Sequence, residues 1–307
     1  SGKFYDRFRH RVIFPLTDSL GRVVGFSGRV LDPTVKEAKY INTPETALYH
    51  KSELLFGYSQ LKQSIRKAEE VVVVEGEMDV LSSVQAGMKH IVAIKGSAFT
   101  DRQARLLARS VKKIVFALDA DSAGVEATKR AIDIAHPYEV SVRVIPLIGG
   151  KDPDDIARTD PAQWKSLVKS SIPAYEFVID QAIRDLDLNS GESKREATIR
   201  VVPILASIHN SVEQGHYVQR VAKKLRTQEE FLFQELHKFS RKKPLSSLKA
   251  VRKDDDQSED IQEQQISIER YILSLLFHLS EKEQATAVKQ LNADFFLEHQ
   301  TKKLFIQ

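Results

Sequence analysis

Seven carboxylates stand at three places where short apolar runs end, and their types and spacing suit metal-dependent phosphoryl chemistry. Glu75 closes the run VVVVEG, and Asp79 follows one helical turn later. Asp119 and Asp121 end KKIVFALDAD; being two apart, they share one side of an extended strand. Asp152, Asp154 and Asp155 lie in GGKDPDD, where Pro153 stiffens the backbone between two of them. Clustered carboxylates repel one another, and a hard divalent cation is the simplest compensation. All-oxygen ligation suits Mg2+ or Mn2+, which hold few carboxylates and keep positions for substrate phosphates. Two such ions could activate a 3′-hydroxyl and stabilise a leaving pyrophosphate. Singly, each of these acids reads first as a helix cap or a surface residue.

The elements that must position the acids are legible from the change of rhythm along the chain. Val71–Gly76, HIVAIKG, KKIVFALDAD and VSVRVIPL are short β-branched runs. They alternate with helix-compatible stretches: MDVLSSVQA, stopped at Gly87; a segment opened by the Thr100/Gln103 capping pair through about Arg109; and SAGVEATKRAIDIA. Such alternation predicts an α/β fold with a parallel sheet flanked by helices on both faces. Ligands of such sheets bind at the carboxyl ends of the strands, where these acids fall.

Upstream, RVIFPL and RVVGFSGRV, joined by TDSLG, predict two antiparallel strands in a small mixed α/β basic subdomain. Residues 1–65 hold ten basic against six acidic side chains, a surplus equal to the net +4 of all 307 residues. Downstream of Asp160 strands cease, and PAQWKSLVKS, PAYEFVIDQAIRDL, ESKREATIRVVPILASIHN, HYVQRVAKKL and a segment opened by Thr227 and Glu230 predict a helical subdomain. The expected organisation is therefore 1–65 basic subdomain, 66–160 acid-bearing α/β domain, 161–240 helical subdomain, 241–265 polar flexible linker, and 266–307 the start of a further helical domain. Zero cysteines exclude disulfides and cysteine-ligated zinc, so no zinc is expected. The same absence fits a reducing, cytoplasmic compartment. With no apolar run near 18 to 20 residues and no signal-like start, no membrane association is expected.

EGEMDV followed by LDADSAGVEA resembles the Toprim signature shared by bacterial primases, type IA and II topoisomerases, recombination mediators and some nucleases. YDRFRHRVIFPL, GRVVGFSGRVL, AKYINTPETALYHKSELLFG and KDPDDIA resemble, in order and spacing, the DnaG-type bacterial primase, over roughly Phe4 to Leu225. The resemblance implies an enzyme that synthesises RNA primers on a single-stranded DNA template from ribonucleoside triphosphates at the replication fork. It assigns Glu75, Asp79, Asp119, Asp121, Asp152 and Asp154 to the metal site, with Glu75, Asp79, Asp119 and Asp121 as its catalytic set and Asp155 outside it. Arg29, Lys39, Lys51 and Tyr40 match its nucleotide and template groove, and Arg7, Arg9 and Arg11 are expected to join them. Tyr40 has two readings, a stacking face or a packed strand residue.

Two residues depart from that pattern. Glu77 replaces an aromatic and is expected to face solvent; Lys95, in KGSAFT, is either a phosphate contact or a spare surface lysine. The family carries a cysteine-rich zinc module and further basic core before YDRFR, so this sequence reads as a fragment. SIERYILSLL and DFFLEHQTKKLF resemble the first helices of a helicase-interacting module, which implies a replicative helicase as partner. Two rivals stay open: another Toprim phosphoryl-transfer enzyme, and a catalytically idle nucleic-acid-binding or helicase-associated scaffold.

Overall fold

The computed structural model describes residues 6–32, 34, 36–95, 98–117, 122–147 and 152–242. Arg11–Thr17 (β1) and Val23–Val30 (β2) form the expected antiparallel hairpin. Its turn is held by Asp18, whose Oδ1 accepts from the amides of Leu20 and Arg22 at 2.9 Å, and Gly21 supplies a φ of 87°. Tyr40–Asn42 (β3) pairs antiparallel with β2 and sets Tyr40 opposite Arg29. Gly28 on β2 has no room for a side chain: a Cβ there would lie 2.7 Å from the Phe8 ring.

Among the described residues the second sheet has six strands, in the order Leu55–Phe56, Ile91–Ile94, Glu70–Val74, Lys113–Phe116, Ser141–Val144 and Ile172–Pro173. Glu70–Val74 (β5), Ile91–Ile94 (β6), Lys113–Phe116 (β7) and Ser141–Val144 (β8) are the four expected strands, and they run parallel. Leu55–Phe56 (β4) and Ile172–Pro173 (β9) extend it antiparallel at its two edges. The expectation that strands cease after Asp160 is corrected by β9. Two residues carry no alternation to detect, and a proline is tolerated there because the strand lies at an edge.

Successive residues of the parallel strands face opposite cores, as a sheet covered on both sides requires. Val71, Val73, Val92, Ile94, Ile114 and Phe116 share one buried cluster with Tyr58 and Ile65 of Tyr58–Ala68 (α1), Leu107 of Asp101–Ala108 (α3) and Ala131 of Ser122–Ala135 (α4). Val72, Val74, Ile91, Ala93 and Val115 share the other with Val80 of Glu77–Gln85 (α2), Ile156 of Pro153–Thr159 (α5), and Trp164 and Val168 of Pro161–Lys169 (α6). Trp164 is fully buried, and its indole N–H donates to Ser83 Oγ of α2 at 2.9 Å, which satisfies the one polar atom it brings into the core.

Ala174–Ala182 (α7), Gly191–Ala206 (α8), Ser211–Leu225 (α9) and Glu229–Lys242 (α10) form the expected helical part. Its core, with Phe177, Val201, Leu205 and Val218, also takes in Ile132 of α4 and Val144 of β8. The helices are thereby seated on the sheet. Of the expected linker at 241–265, residues 241 and 242 instead end α10, and the remainder, with the expected domain at 266–307, lies outside the described residues.

Candidate active site

Because β5 and β7 are neighbours and parallel, the chain leaves both at the same edge of the sheet, and Glu75 directly follows β5 there. Glu75 is exposed there. Asp119 and Asp121 lie outside the described residues.

Asp79 is buried on the first turn of α2. Its Oδ2 accepts from the amide of Gly76 at 2.9 Å and its Oδ1 from the amide of Asp154 at 3.1 Å. Burial pushes its pKa up to about 6, the charges of Asp152 and Asp154 add to the rise, and the two amide donors oppose it. The third group of acids is built by α5. Asp152 caps that helix by accepting from the Asp155 amide at 2.7 Å, with Pro153 at its first position. Asp154 accepts from the hydroxyl of Ser82 on α2 and lies 3.4 Å from Arg158 Nε, while Asp155 pairs with Arg158 at 2.8 Å. One carboxylate oxygen from each of Asp152, Asp154 and Asp155 lies within 4.8 Å of the others, a donor set and spacing suited to a hard divalent cation. Asp155, set aside in the sequence reading, belongs to that cluster by position.

Glu77 and Lys95 are corrections. Glu77 is 3% exposed and Lys95 8%, and the two form a buried ion pair. A buried carboxylate needs a partner, and Lys95, at the carboxyl end of the adjacent strand β6, supplies it. Lys95 Nζ also donates to Ser27 Oγ of β2 at 3.4 Å. The sequence held one signal: two residues of opposite charge that both depart from the family pattern, each shortly after one of the β-branched runs.

On the basic side, Arg29 and Tyr40 stand together, the guanidinium 5.8 Å from the ring centroid. Tyr40 is half-buried; burial raises its hydroxyl pKa, Arg29 opposes the rise, and the charges of Glu77 and Asp79 add to it. Tyr40 is thereby within electrostatic reach of Glu77 and Asp79. Arg7, Arg9, Lys39 and Lys51 are exposed. Arg11 is placed differently. Its side chain is 3% exposed and its guanidinium donates to the carbonyls of Gly28 (3.2 Å), Ala38 (2.8 Å) and Lys39 (3.4 Å) and to Glu37 (3.0 Å), so it braces the segment leading to Tyr40. A separate cavity of about 540 Å³, lined by His50, Tyr58, Arg105 and Arg109 among others, includes none of the candidate acids.

Three family models match the chain in succession: the N-terminal domain of the DNA primase catalytic core at residues 1–62, a Toprim-like domain at 72–157, and the DnaB-helicase binding domain of primase at 175–236. The fold is similar to that of a DNA primase domain from Pseudomonas aeruginosa, with a TM-score of 0.65 and 33% identity over 77% of this chain and 75% of that one. The chain belongs to the DnaG-type bacterial primase family. A DnaG primase catalytic domain bound to single-stranded DNA is similar at a TM-score of 0.64 and 30% identity, covering 74% of this chain and 72% of that one. The DNA primase of Synechococcus elongatus is 40% identical over 229 residues, 72% of this chain and 33% of that protein. This primase-family chain spans between a third and a half of the length of such curated relatives. The helicase-binding match falls on α7 to α10, whereas the expected helicase-interacting segment at 266–307 lies outside the described residues. Among the described residues no helix is long and apolar enough to cross a membrane.

Proposed function

We propose that this chain carries the catalytic core of a primase: it joins ribonucleoside triphosphates into short RNA on a single-stranded DNA template. The 3′-hydroxyl of the growing strand would attack the α-phosphorus of the incoming nucleotide, the bond to the β,γ-pyrophosphate would break, and the proton of the hydroxyl would pass to solvent. The observation that carries this reading is the meeting of two features: Asp79, buried on α2 and bonded to the Asp154 amide of α5, and Arg29 with Tyr40 on the basic sheet, whose Ser27 accepts from Lys95 at the end of β6.

Mg2+ or Mn2+, held by Asp152 and Asp154 with Glu75, Asp119 and Asp121, would supply charge neutralisation at the reacting phosphates. The chain's own residues do the positioning. Ser82 and the α5 N-terminus aim Asp154 and Asp152, and Asp79 ties α2 to α5. Arg29 offers charge to phosphates and Tyr40 a face on which a base can stack, with Lys39, Lys51, Arg7 and Arg9 extending a positive track for the template. Arg11 supports that track from behind. We assign the replicative helicase to the helical part, α7 to α10, on the match to the helicase-binding domain there. Replication-fork location in the cytoplasm goes with this reading.

The test is incorporation of labelled ribonucleotides by the purified chain on single-stranded DNA, with Mg2+ or Mn2+ and with chelator. Metal- and template-dependent RNA is expected. DNA binding with no synthesis under any of these conditions would favour a binding scaffold instead.

A further inference from the structure

Two charged side chains are buried beside the acids without serving as ligands in the proposed site. Glu77 begins α2, between Glu75 and Asp79 in sequence, and Lys95 follows β6; their side chains are 4% and 6% exposed. Without Lys95, only a cation bound at the edge would keep the Glu77 carboxylate ionised, so it would add its negative charge to that edge as the cation binds; without Glu77, the neighbouring acids would keep the Lys95 ammonium charged, and it would subtract one. Lys95 is held from a second side by Ser27, itself fully buried on β2. The position of the ammonium is therefore fixed between the acid-bearing sheet and the basic sheet.

We propose that Lys95 is a positioning residue of the acid edge, the internal counter-ion that holds the Glu77 carboxylate away from the bound cation and sets the net charge the edge presents to it. Resting on the metal-dependent reading above, this inference assigns a function to two residues that the sequence pattern leaves outside the site. The pair is isolated from solvent, so its charges act on neighbouring groups with little screening by salt. Its neutrality depends on both members. Loss of Lys95 turns Glu77 into an additional anion next to Asp79; loss of Glu77 leaves a cation there.

That asymmetry gives the test. Mn2+ binding to the whole chain is measured by the electron paramagnetic resonance signal of the free ion, for wild type, Lys95→Met, Glu77→Gln, the double variant, and Ser27→Ala. Lys95→Met should bind Mn2+ more tightly and Glu77→Gln more weakly, each on the order of tenfold. The double variant, neutral again, should return to within about twofold of wild type, as should Ser27→Ala, which removes no charge. A pair that only supports folding would shift both single variants in the same direction, and that result overturns the proposal. Should a single variant fail to fold, the exchanged pair Glu77→Lys with Lys95→Glu decides the question: it keeps the ion pair but sets the ammonium on α2 among the acids, so Mn2+ affinity should fall several-fold. Unchanged affinity in the exchanged chain overturns the proposal equally. A wild-type chain that binds no Mn2+ overturns the metal reading and this inference together, whereas normal wild-type binding with same-sign variants overturns the inference alone.

Discussion

The backbone amide of Asp154 donates to Oδ1 of Asp79 at 3.1 Å, fastening the first turn of α5 to the first turn of α2 across 75 residues of sequence. The other oxygen of Asp79 takes the Gly76 amide at 2.9 Å, so one carboxylate sets the exit of β5 and the placement of the Asp152–Asp155 cluster together. Asp79→Ala should leave both amides without acceptors and lower stability by about 2 to 4 kcal/mol. Urea unfolding checks this; a loss under about 0.5 kcal/mol, the range of a neutral surface change, would contradict the role.

The same carboxyl group gives a pH dependence with a defined sign. Its pKa rises from 3.8 to about 6 on folding, so between those values the folded chain binds more protons than the unfolded one. Its contribution to stability is complete below pH 3.8 and is lost as pH rises through about 6. In metal-free buffer the size of this effect is about 3 kcal/mol. Denaturant midpoints of wild type and Asp79→Asn across that window should diverge as pH rises, wild type falling relative to the variant; parallel curves would show that Asp79 does not titrate as described.

Ser82 holds Asp154 by its hydroxyl, and Arg158 stands ready as a competing partner at 3.4 Å. Ser82→Ala should leave the fold nearly as stable, within about 1 kcal/mol, because Asp154 can recruit water. Metal affinity should nevertheless fall on the order of tenfold, since the ligand loses the group that orients it. Isothermal titration with Mn2+ distinguishes the two quantities, and an unaltered affinity would remove Ser82 from the site.

Arg11 and Arg9 are two residues apart and should fail in different ways. Arg11→Ala breaks hydrogen bonds to the carbonyls of Gly28, Ala38 and Lys39 and should cost about 2 to 3 kcal/mol of stability. Arg9→Ala, at an exposed position, should leave stability within about 0.5 kcal/mol. It should weaken single-stranded DNA binding and reduce the slope of log affinity against log salt by about one unit. Fluorescence anisotropy over a salt series tests the assignment; equal slopes for wild type and Arg9→Ala would place Arg9 outside the template track.

Sequence was most informative where one local rule acted alone. The Thr100/Gln103 pair predicted the start of α3, and the structure shows both bonds, Gln103 N to Thr100 Oγ1 at 3.2 Å and Thr100 N to Gln103 Oε1 at 3.1 Å. The four β-branched runs announced β5 to β8 because strands buried on both faces need no polar alternation. What escaped was decided by pairing across the fold. The strands β4 and β9 exist only because β6 and β8 offer open edges. Asp152, placed by sequence only within GGKDPDD, caps a helix that Pro153 starts. Glu77 was expected in solvent because a lone glutamate is costly to bury, and only the adjacency of β5 and β6 brings Lys95 to it. Arg11 looks like its neighbours Arg7 and Arg9 in sequence, yet the register of β1 on β2 turns it onto backbone carbonyls.

The most direct measurement is primer synthesis by Asp119→Ala beside wild type, on the same single-stranded template with the same metal, with DNA affinity recorded in parallel. The account predicts template-dependent RNA from wild type and a loss of at least about a hundredfold in the variant, with DNA affinity and thermal stability preserved. Synthesis by Asp119→Ala at the wild-type rate would contradict it.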